Sequence, residues 1–345
     1  MRARSKIIIA ICAVSSVACL LFGLVWFRSF GNSLPLSPEP TYQGRPLRFW
    51  VAELTKHGEF DLNPPDQAAA ALREIGPAAV PFLSQWLTTL ERSPEPPVNS
   101  EAIIAAFRVL GPKARSALPI FAEILSTKAS SIRGYEAWHT ASEAVPCVGV
   151  EAIPVMLTAV TNLQGNHHRW ELIKQFGILE SNGVPAVPAL VAWARDKDSW
   201  VRDGAVSALG EIGQQAEVVL PVLRAAAATD PDHMVRRDAA EALGGFGAVA
   251  MPDLIRANSD PDWYVRTGVM GGLGKLALER PDVVLPLLDQ GLHDDNWIVR
   301  RSAAYALGFS GSKAAYDKLM AANNVAEIGD IIYQIRATVS PETLK

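Results

Sequence analysis

Cysteine is nearly absent from this 345-residue chain: Cys12 and Cys19 lie in an apolar N-terminal stretch, which leaves Cys147 alone in the remainder. A lone thiol excludes an intrachain disulfide framework, and its expected state is that of a small buried side chain. Basic charge is also short. There are 32 Lys and Arg against 36 Asp and Glu, and the first 27 residues hold Arg2, Arg4 and Lys6 but no acid, so the rest carries a net charge of −7. Nucleic-acid binding needs cations gathered to neutralise phosphates, so no nucleic-acid partner is expected. The six histidines, His57, His139, His167, His168, His233 and His293, fall into no ligand spacing, and the adjacent pair points to opposite sides of a helix. Neither G-x-S-x-G nor a glycine-rich phosphate loop is present, and no strand pattern exists to carry one. No catalytic residue, metal or cofactor is therefore expected.

What the chain has instead is internal repetition. Four acids each stand six residues ahead of an arginine: Asp196 and Arg202, Asp230 and Arg236, Asp260 and Arg266, Asp294 and Arg300. The text after each arginine also recurs, as VRDGAVSALGEIG from Val201, VRRDAAEALGGFG from Val235, VRTGVMGGLGKLA from Val265 and VRRSAAYALGFSG from Val299. Similarity at a period of 30 to 34 residues marks a solenoid. Units that cannot bury an apolar face alone stack on one another and present a long surface rather than a closed pocket.

Two further marks give the register. Pro81, Pro119, Pro154, Pro188, Pro221, Pro252 and Pro286 each open an apolar run, and proline suits the first turn of a helix, where its missing N–H has no partner to lose. Gly76, Gly111, Gly149, Gly177, Gly213, Gly247 and Gly311, with Ala277 in the seventh unit, stand where a second helix closes. The pattern predicts eight helix pairs, over 46–76, 79–111, 116–149, 151–177, 186–213, 218–247, 250–277 and 281–311, followed by capping helices within 312–345.

The D-x5-R spacing, the V-R-x-x-A-x-x-A-L-G core and the proline-led first helix resemble HEAT-like repeats of the phycobilisome-lyase type. The resemblance covers residues 46–311 and is sharpest in the last four units. Eleven positions before the closing glycine, the first four units carry Pro65, Ser100, Trp138 and Asn166 in place of the arginine. The resemblance implies an all-α, right-handed α-α superhelix of the HEAT/ARM-like solenoid class. It also implies that the four Asp/Arg pairs form a structural ladder, an arginine of one unit reaching the acid of a neighbour through its planar fork. Each aspartate also sits where it could cap the incoming helix. One HEAT-like enzyme family, deoxyhypusine hydroxylase, carries iron on His-Glu pairs, and no His-Glu dipeptide occurs here. A second implied function is that of a bilin lyase-like subunit handling a tetrapyrrole, which is cytoplasmic work.

Within the second helices, Leu209, Leu243, Leu273 and Leu307 share one column and Ala208, Ala242, Gly272 and Ala306 the one before it, a large residue beside a small one at a stacking interface. Three columns spaced i, i+4, i+8 hold nothing in common: Asp203, Arg237, Thr267 and Arg301; Ser207, Glu241, Gly271 and Tyr305; Glu211, Gly245, Lys275 and Phe309. They share one helical face, which either contacts a protein partner or is solvated filler. Trp200 shares a column with Met234, Tyr264 and Ile298 and is expected in the core, whereas Trp263 and Trp297 align with Ser199 and His233 and are expected to be exposed.

Residues 7–27 carry no charge and follow three basic residues. Their length matches a bilayer core of roughly 30 Å, and the charge bias places the N-terminus, 1–6, in the cytoplasm. Ser16-Val17-Ala18 offers a signal-peptidase alternative and Cys19 a lipidation one, yet the apolar run continues nine residues past Ala18, which favours a retained signal anchor. A Pro/Ser-rich linker, 28–45, follows. The sequence thus predicts a single-pass membrane protein with a periplasmic or extracellular repeat domain that acts as a non-catalytic scaffold for a protein partner.

Overall fold

A computed structural model describes residues 38–55, 66–90, 97–126, 132–322 and 327–340, with Glu342 and Leu344. The apolar stretch 7–27 and residues 28–37 of the linker lie outside the described residues. Among those described, no helix is long and apolar enough to cross a membrane. The chain divides into two compact units, Met1–Asn162 and Leu163–Lys345.

The first unit holds α1 (Leu47–Glu53), α2 (Asp66–Ile75), α3 (Val80–Thr89), α4 (Ser100–Leu110), α5 (Leu118–Ser126), α6 (Ile132–Ala144) and α7 (Ile153–Asn162). Its core is built from Leu72, Leu83, Ile103, Phe107, Phe121, Trp138 and Met156, all fully buried, with the Phe107 and Phe121 rings edge to face at 5.0 Å. Contrary to the expected linker through residue 45 and the absence of strands, Thr41–Tyr42 and Arg45–Pro46 pair as a short antiparallel hairpin. Gln43 and Gly44 both take positive φ, as a two-residue hairpin turn requires. Trp50, buried in α1, donates its Nε1 hydrogen to the Tyr42 carbonyl at 3.1 Å and so ties the hairpin to the helices.

The second unit holds α8 (Asn166–Lys174), α9 (Val187–Trp193), α10 (Ser199–Ile212), α11 (Ala216–Thr229), α12 (His233–Leu243), α13 (Met251–Ala257), α14 (Trp263–Leu276), α15 (Pro281–Leu292), α16 (Trp297–Phe309), α17 (Lys313–Ala321) and α18 (Gly329–Thr338). First and second helices alternate, and the second helices α8, α10, α12, α14, α16 and α18 each pack on the next. Leu209, Leu243, Leu273 and Leu307 are fully buried along this row. The helices approach closely because the facing positions are small. A Cβ on Gly210 would lie 2.8 Å from the Ala242 Cα, one on Gly244 would overlap the Gly272 backbone, and one on Gly268 would overlap the Arg237 carbonyl. The first helices meet more sparsely, so the second-helix row is the shorter, inner side of this unit.

Pro81, Pro188 and Pro252 stand in the opening turns of α3, α9 and α13, and Pro119 and Pro154 are the second residues of α5 and α7. Pro221 and Pro286 do not open their helices. They sit inside α11 and α15, because α11 already starts after Gln215, which is left-handed at φ 55, and α15 starts at Pro281. Gly213, left-handed at φ 61, closes α10 where the sequence places a helix end. Gly177 is not such a turn. Glu180 takes the positive φ of 48 instead, and Gly177 is kept small by the Glu211 carboxylate, which a Cβ there would strike.

These contacts give a direct test of stacking. Gly244→Ala is expected to destabilise the second unit by about 2–3 kcal/mol through overpacking against α14. Gly245→Ala, whose Cβ would meet only the Gly210 carbonyl at 3.4 Å, is expected to change stability by less than about 0.5 kcal/mol. Thermal melts of the two variants should separate accordingly.

Candidate functional site

The loops that lead into the second helices are held by the arginines. Arg202 donates through Nε and Nη2 to both oxygens of Asp230, at 2.7 and 2.8 Å, and through Nη1 to the carbonyl of Asp196 at 3.0 Å. Arg236 repeats this with Asp260, at 3.0 and 3.3 Å, and the Asp230 carbonyl; Arg266 does so with Asp294, at 2.8 Å twice, and the Asp260 carbonyl. Each fork therefore grips the backbone of its own loop and the carboxylate of the next. Within one unit, the aspartate and arginine meet through the main chain only. The rungs are largely shielded, with the Arg202 and Asp230 side chains 12% and 8% exposed, so solvent screens them less than a surface pair.

The aspartates do not cap the helices. Asp196, Asp230, Asp260 and Asp294 accept from the backbone N–H two residues on, at 2.9–3.0 Å, and the residues so held, Asp198, Asp232, Asp262 and Asn296, are the caps. Their side chains accept from the N–H groups of Trp200, Met234, Tyr264 and Ile298. Each carboxylate bridges an arginine of the previous repeat and its own turn from two residues before the helix cap, which leaves capping to its neighbour.

The ladder is longer than the four pairs. Arg169 reaches Asp196 at 3.2 Å, and Arg300 reaches Glu327 while its Nη1 holds the Asp294 carbonyl at 2.8 Å. Arg169 escapes the spacing rule when Gly177 is taken as the closing turn. Counted back eleven residues from Glu180, which holds the left-handed turn, it falls into register. In the first unit, Ser100 stands in the arginine slot and its hydroxyl donates to Glu136 at 2.7 Å, a single hydrogen bond between α4 and α6. Trp138, in the same slot one unit on, is buried. On the other row of the second unit, Arg224 of α11 donates to Asp253 of α13 at 2.8 Å and to the Val249 carbonyl.

The corrected register adds Trp170, Lys174 and Ile178 to the three varied columns, and the structure separates their members. Asp203 is not exposed. It is buried between α8 and α12, accepts the Trp170 Nε1 hydrogen at 2.7 Å, and has its second oxygen without a donor. Ser207 and Thr267 are half-buried, and the Thr267 hydroxyl donates to the Tyr264 carbonyl at 2.5 Å. Glu211 is at the exposed rim. Arg237 pairs with Asp238 at 2.5 Å and Glu241 at 3.1 Å, and Lys275 donates to the Glu241 carbonyl at 3.4 Å. Arg301 bonds both oxygens of Asp330 at 2.9 Å, and Tyr305 reaches Gln334 at 3.4 Å while stacking on Phe309. Phe309 and Tyr333 are the most exposed aromatics on the face, at 56% and 78%. Trp263 and Trp297 are exposed. So is Trp200, contrary to its expected core position, because α8 brings Trp170 under it edge to face at 5.2 Å and fills the inner space.

Asp203 is the electrostatic anomaly of the face. Burial, reinforced by the neighbouring Asp238 carboxylate, pushes its pKa from 3.8 up to about 7, against the opposing pull of Trp170 and Lys174. Lys174 stands 4.0 Å from Asp238. Asp294 goes the other way: burial raises it, but the hydrogen bonds from Arg266 and the Asn296 N–H outweigh that and hold it below the usual range. The signs follow. Asp294 stabilises the fold above the unfolded pKa, and that contribution is lost as pH falls. Asp203 binds its proton more tightly folded than unfolded, so stability falls as pH rises from about 4 to about 7. Among the described residues, no group of three or more His, Cys, Asp or Glu side chains is placed to hold a metal ion.

Two outcomes are expected. Arg236→Ala, which strips a bidentate partner and a carbonyl donor at once, should cost about 2–3 kcal/mol, while Arg256→Ala at the exposed outer row should cost less than about 0.5 kcal/mol, as read from denaturant midpoints. Asp203→Asn keeps the acceptor for Trp170 and supplies a donor toward Asp238. It should raise stability at pH 8 by on the order of a few kcal/mol and flatten the decline between pH 4 and 7, a profile measurable by melting across pH.

The HEAT repeats model matches residues 152–244 and 248–328, just over half of the chain, and the PBS lyase HEAT-like repeat matches 235–257. Among curated proteins no significant match was found. Similar solved structures include Kap121p (12% identity, 78% of this chain, 35% of that one, TM-score 0.49). They also include the karyopherin Kap121p bound to the extreme C-terminus of the protein phosphatase Cdc14p (13%, 78%, 34%, TM-score 0.49) and Kap121p bound to Nup53p (11%, 78%, 34%, TM-score 0.48). The chain spans about a third of the length of these proteins. On the family match and the stacked helix pairs that carry the ladder, this chain belongs to the family of HEAT-repeat proteins.

Proposed function

We propose that the protein is a non-catalytic scaffold that holds a protein partner on its second-helix face, tethered to a membrane through residues 7–27 with the repeats on the periplasmic or extracellular side. The observation that carries the reading is the division of labour along each second helix. One side is fixed by buried leucines and glycines. The other presents Arg237, Glu241, Lys275, Arg301, Tyr305 and Phe309 with no shared packing role, and ends in two strongly exposed aromatics, Phe309 and Tyr333. Exposed aromatics and arginines on a rigid face are the side chains that most often dominate binding energy at interfaces. The tether rests on the uncharged length of residues 7–27 and the basic residues before it. The tetrapyrrole-handling alternative rests on one matched repeat, 235–257, and would be revived by a persistent absorbance shift on mixing the protein with a bilin.

The test is capture of companions by the solubilised full-length protein, wild type against Arg237→Glu and Arg301→Glu with melting curves matched. A companion retained by the wild type and reduced at least about tenfold by either reversal supports the face, since a desolvated charge reversal is worth more than 1.4 kcal/mol. Equal recovery by all three proteins overturns it.

A further inference from the structure

The edge where the loops enter the second helices has a composition that the scaffold reading does not use. Residues at the first or second position of successive helices expose their rings: Trp200 on α10, His233 on α12, Trp263 on α14 and Trp297 on α16, with Trp297 51% exposed. The band is continuous in part, His233 standing edge to face with Tyr264 at 5.5 Å and Trp263 with Tyr264 at 5.5 Å. Rings packed against this row already receive cations from the chain itself, with Lys174 5.2 Å from the Trp170 ring and Arg237 5.5 Å from the Tyr264 ring.

Apart from Arg237 against Tyr264, the charge left without an offset beside these rings is negative. Ladder arginines offset Asp230, Asp260 and Asp294. Three further carboxylates, Asp232, Asp262 and Asp295, then leave the edge between residues 230 and 300 acidic. Asp295 also touches Arg266 but is 90% exposed, and Asp262 lies 3.4 Å from His233, a ring that is charged only when protonated. The exposed surface here is thus tryptophan interleaved with carboxylate, which selects for a cation with an aliphatic stem and against an anion.

Spacing narrows the partner further. Packed helices stand roughly 8–10 Å apart, and a polyproline-II segment rises about 3.1 Å per residue with three residues per turn, so every third side chain returns to the same face about 9 Å on and meets the next rung. We propose that this edge binds a protein segment in the polyproline-II conformation bearing lysine or arginine at every third position, each cation seated against one ring and one aspartate of successive repeats. The proposal deepens the scaffold reading by naming the partner's chemistry, but it uses a different edge from the Arg301, Tyr305 and Phe309 face, so the two fail separately.

The experiment is fluorescence anisotropy of a labelled peptide with five Lys-Ser-Ala repeats against the detergent-solubilised full chain at about 50 mM salt, where screening is weak. The controls are the same peptide with Glu for Lys and a peptide of equal charge with its five lysines contiguous. Saturable binding of the spaced Lys peptide, at least about tenfold tighter than either control, is expected. Trp263→Ala/Trp297→Ala should lose about tenfold, as should Asp232→Asn/Asp262→Asn/Asp295→Asn, in which Asn preserves the caps at 232 and 262 and so the helices. Far-UV circular dichroism and melting verify folding, and Trp263→Phe/Trp297→Phe should recover most of the affinity. Equal affinity for the Lys and Glu peptides, equal affinity for spaced and contiguous lysines, or a fully folded charge-removed variant that binds like wild type each overturns the proposal. Retained sensitivity to Arg301→Glu in companion capture would then show that only this inference had failed.

Discussion

The arginine fork that joins consecutive repeats is the constraint on which the rest of the second unit depends. A guanidinium has donors on two edges, and here one edge closes its own loop while the other takes both oxygens of the next loop's aspartate, as in Arg202 with the Asp196 carbonyl and Asp230. Because the same group fixes a loop and its neighbour, loop geometry and repeat spacing are set together. An ammonium, with a single charged point, cannot span both. The aspartate in turn holds the N–H of the cap, so rung, turn and helix start form one hydrogen-bonded unit that recurs along the unit.

Close approach of the second helices follows from that spacing and is permitted by small residues. Gly244 against Gly272, Gly268 against the Arg237 backbone and Gly210 against Ala242 leave no room for another methyl group. The buried leucines then supply the apolar surface that stacking removes from water, which a single helix pair has no means to bury. In the first unit, where Pro65, Ser100 and Trp138 replace the ladder arginines in the sequence, the described residues make the joints by other means. Aromatic packing of Phe107 on Phe121 and the Ser100 hydroxyl on Glu136 take its place.

The buried Asp203 departs from this economy. A carboxyl with one oxygen lacking a donor, set beside the Asp238 carboxylate of the next repeat, stores an electrostatic cost that a leucine or asparagine would avoid. It sits where α8, α10 and α12 meet beneath the exposed face, and Trp170 and Lys174 of α8 are its remaining polar surroundings. The joint between these three helices is accordingly the one whose cohesion responds to pH near neutrality, while Asp294, held by Arg266, keeps its charge to lower pH.

Periodicity alone determined the all-helical repeat, the leucine column and the arginines Arg202, Arg236, Arg266 and Arg300, because each follows from local spacing that recurs in the last four units. The exposure of Trp263 and Trp297 was legible for the same reason, since their column holds polar residues in other repeats. Tertiary structure decided what spacing cannot encode. Which carboxylate an arginine grips depends on the distance between units, not on the six residues within one, so the rungs run forward to the next loop and the caps pass to Asp198, Asp232, Asp262 and Asn296. Glu180 rather than Gly177 carries the positive φ of the fourth turn, and Gly177 lies instead against the Glu211 side chain of the next repeat, a contact that spacing within one unit does not encode. Asp203 is polar in sequence and buried in space for a similar reason: a residue facing outward from its own helix becomes interior when the neighbouring helix brings a tryptophan against it.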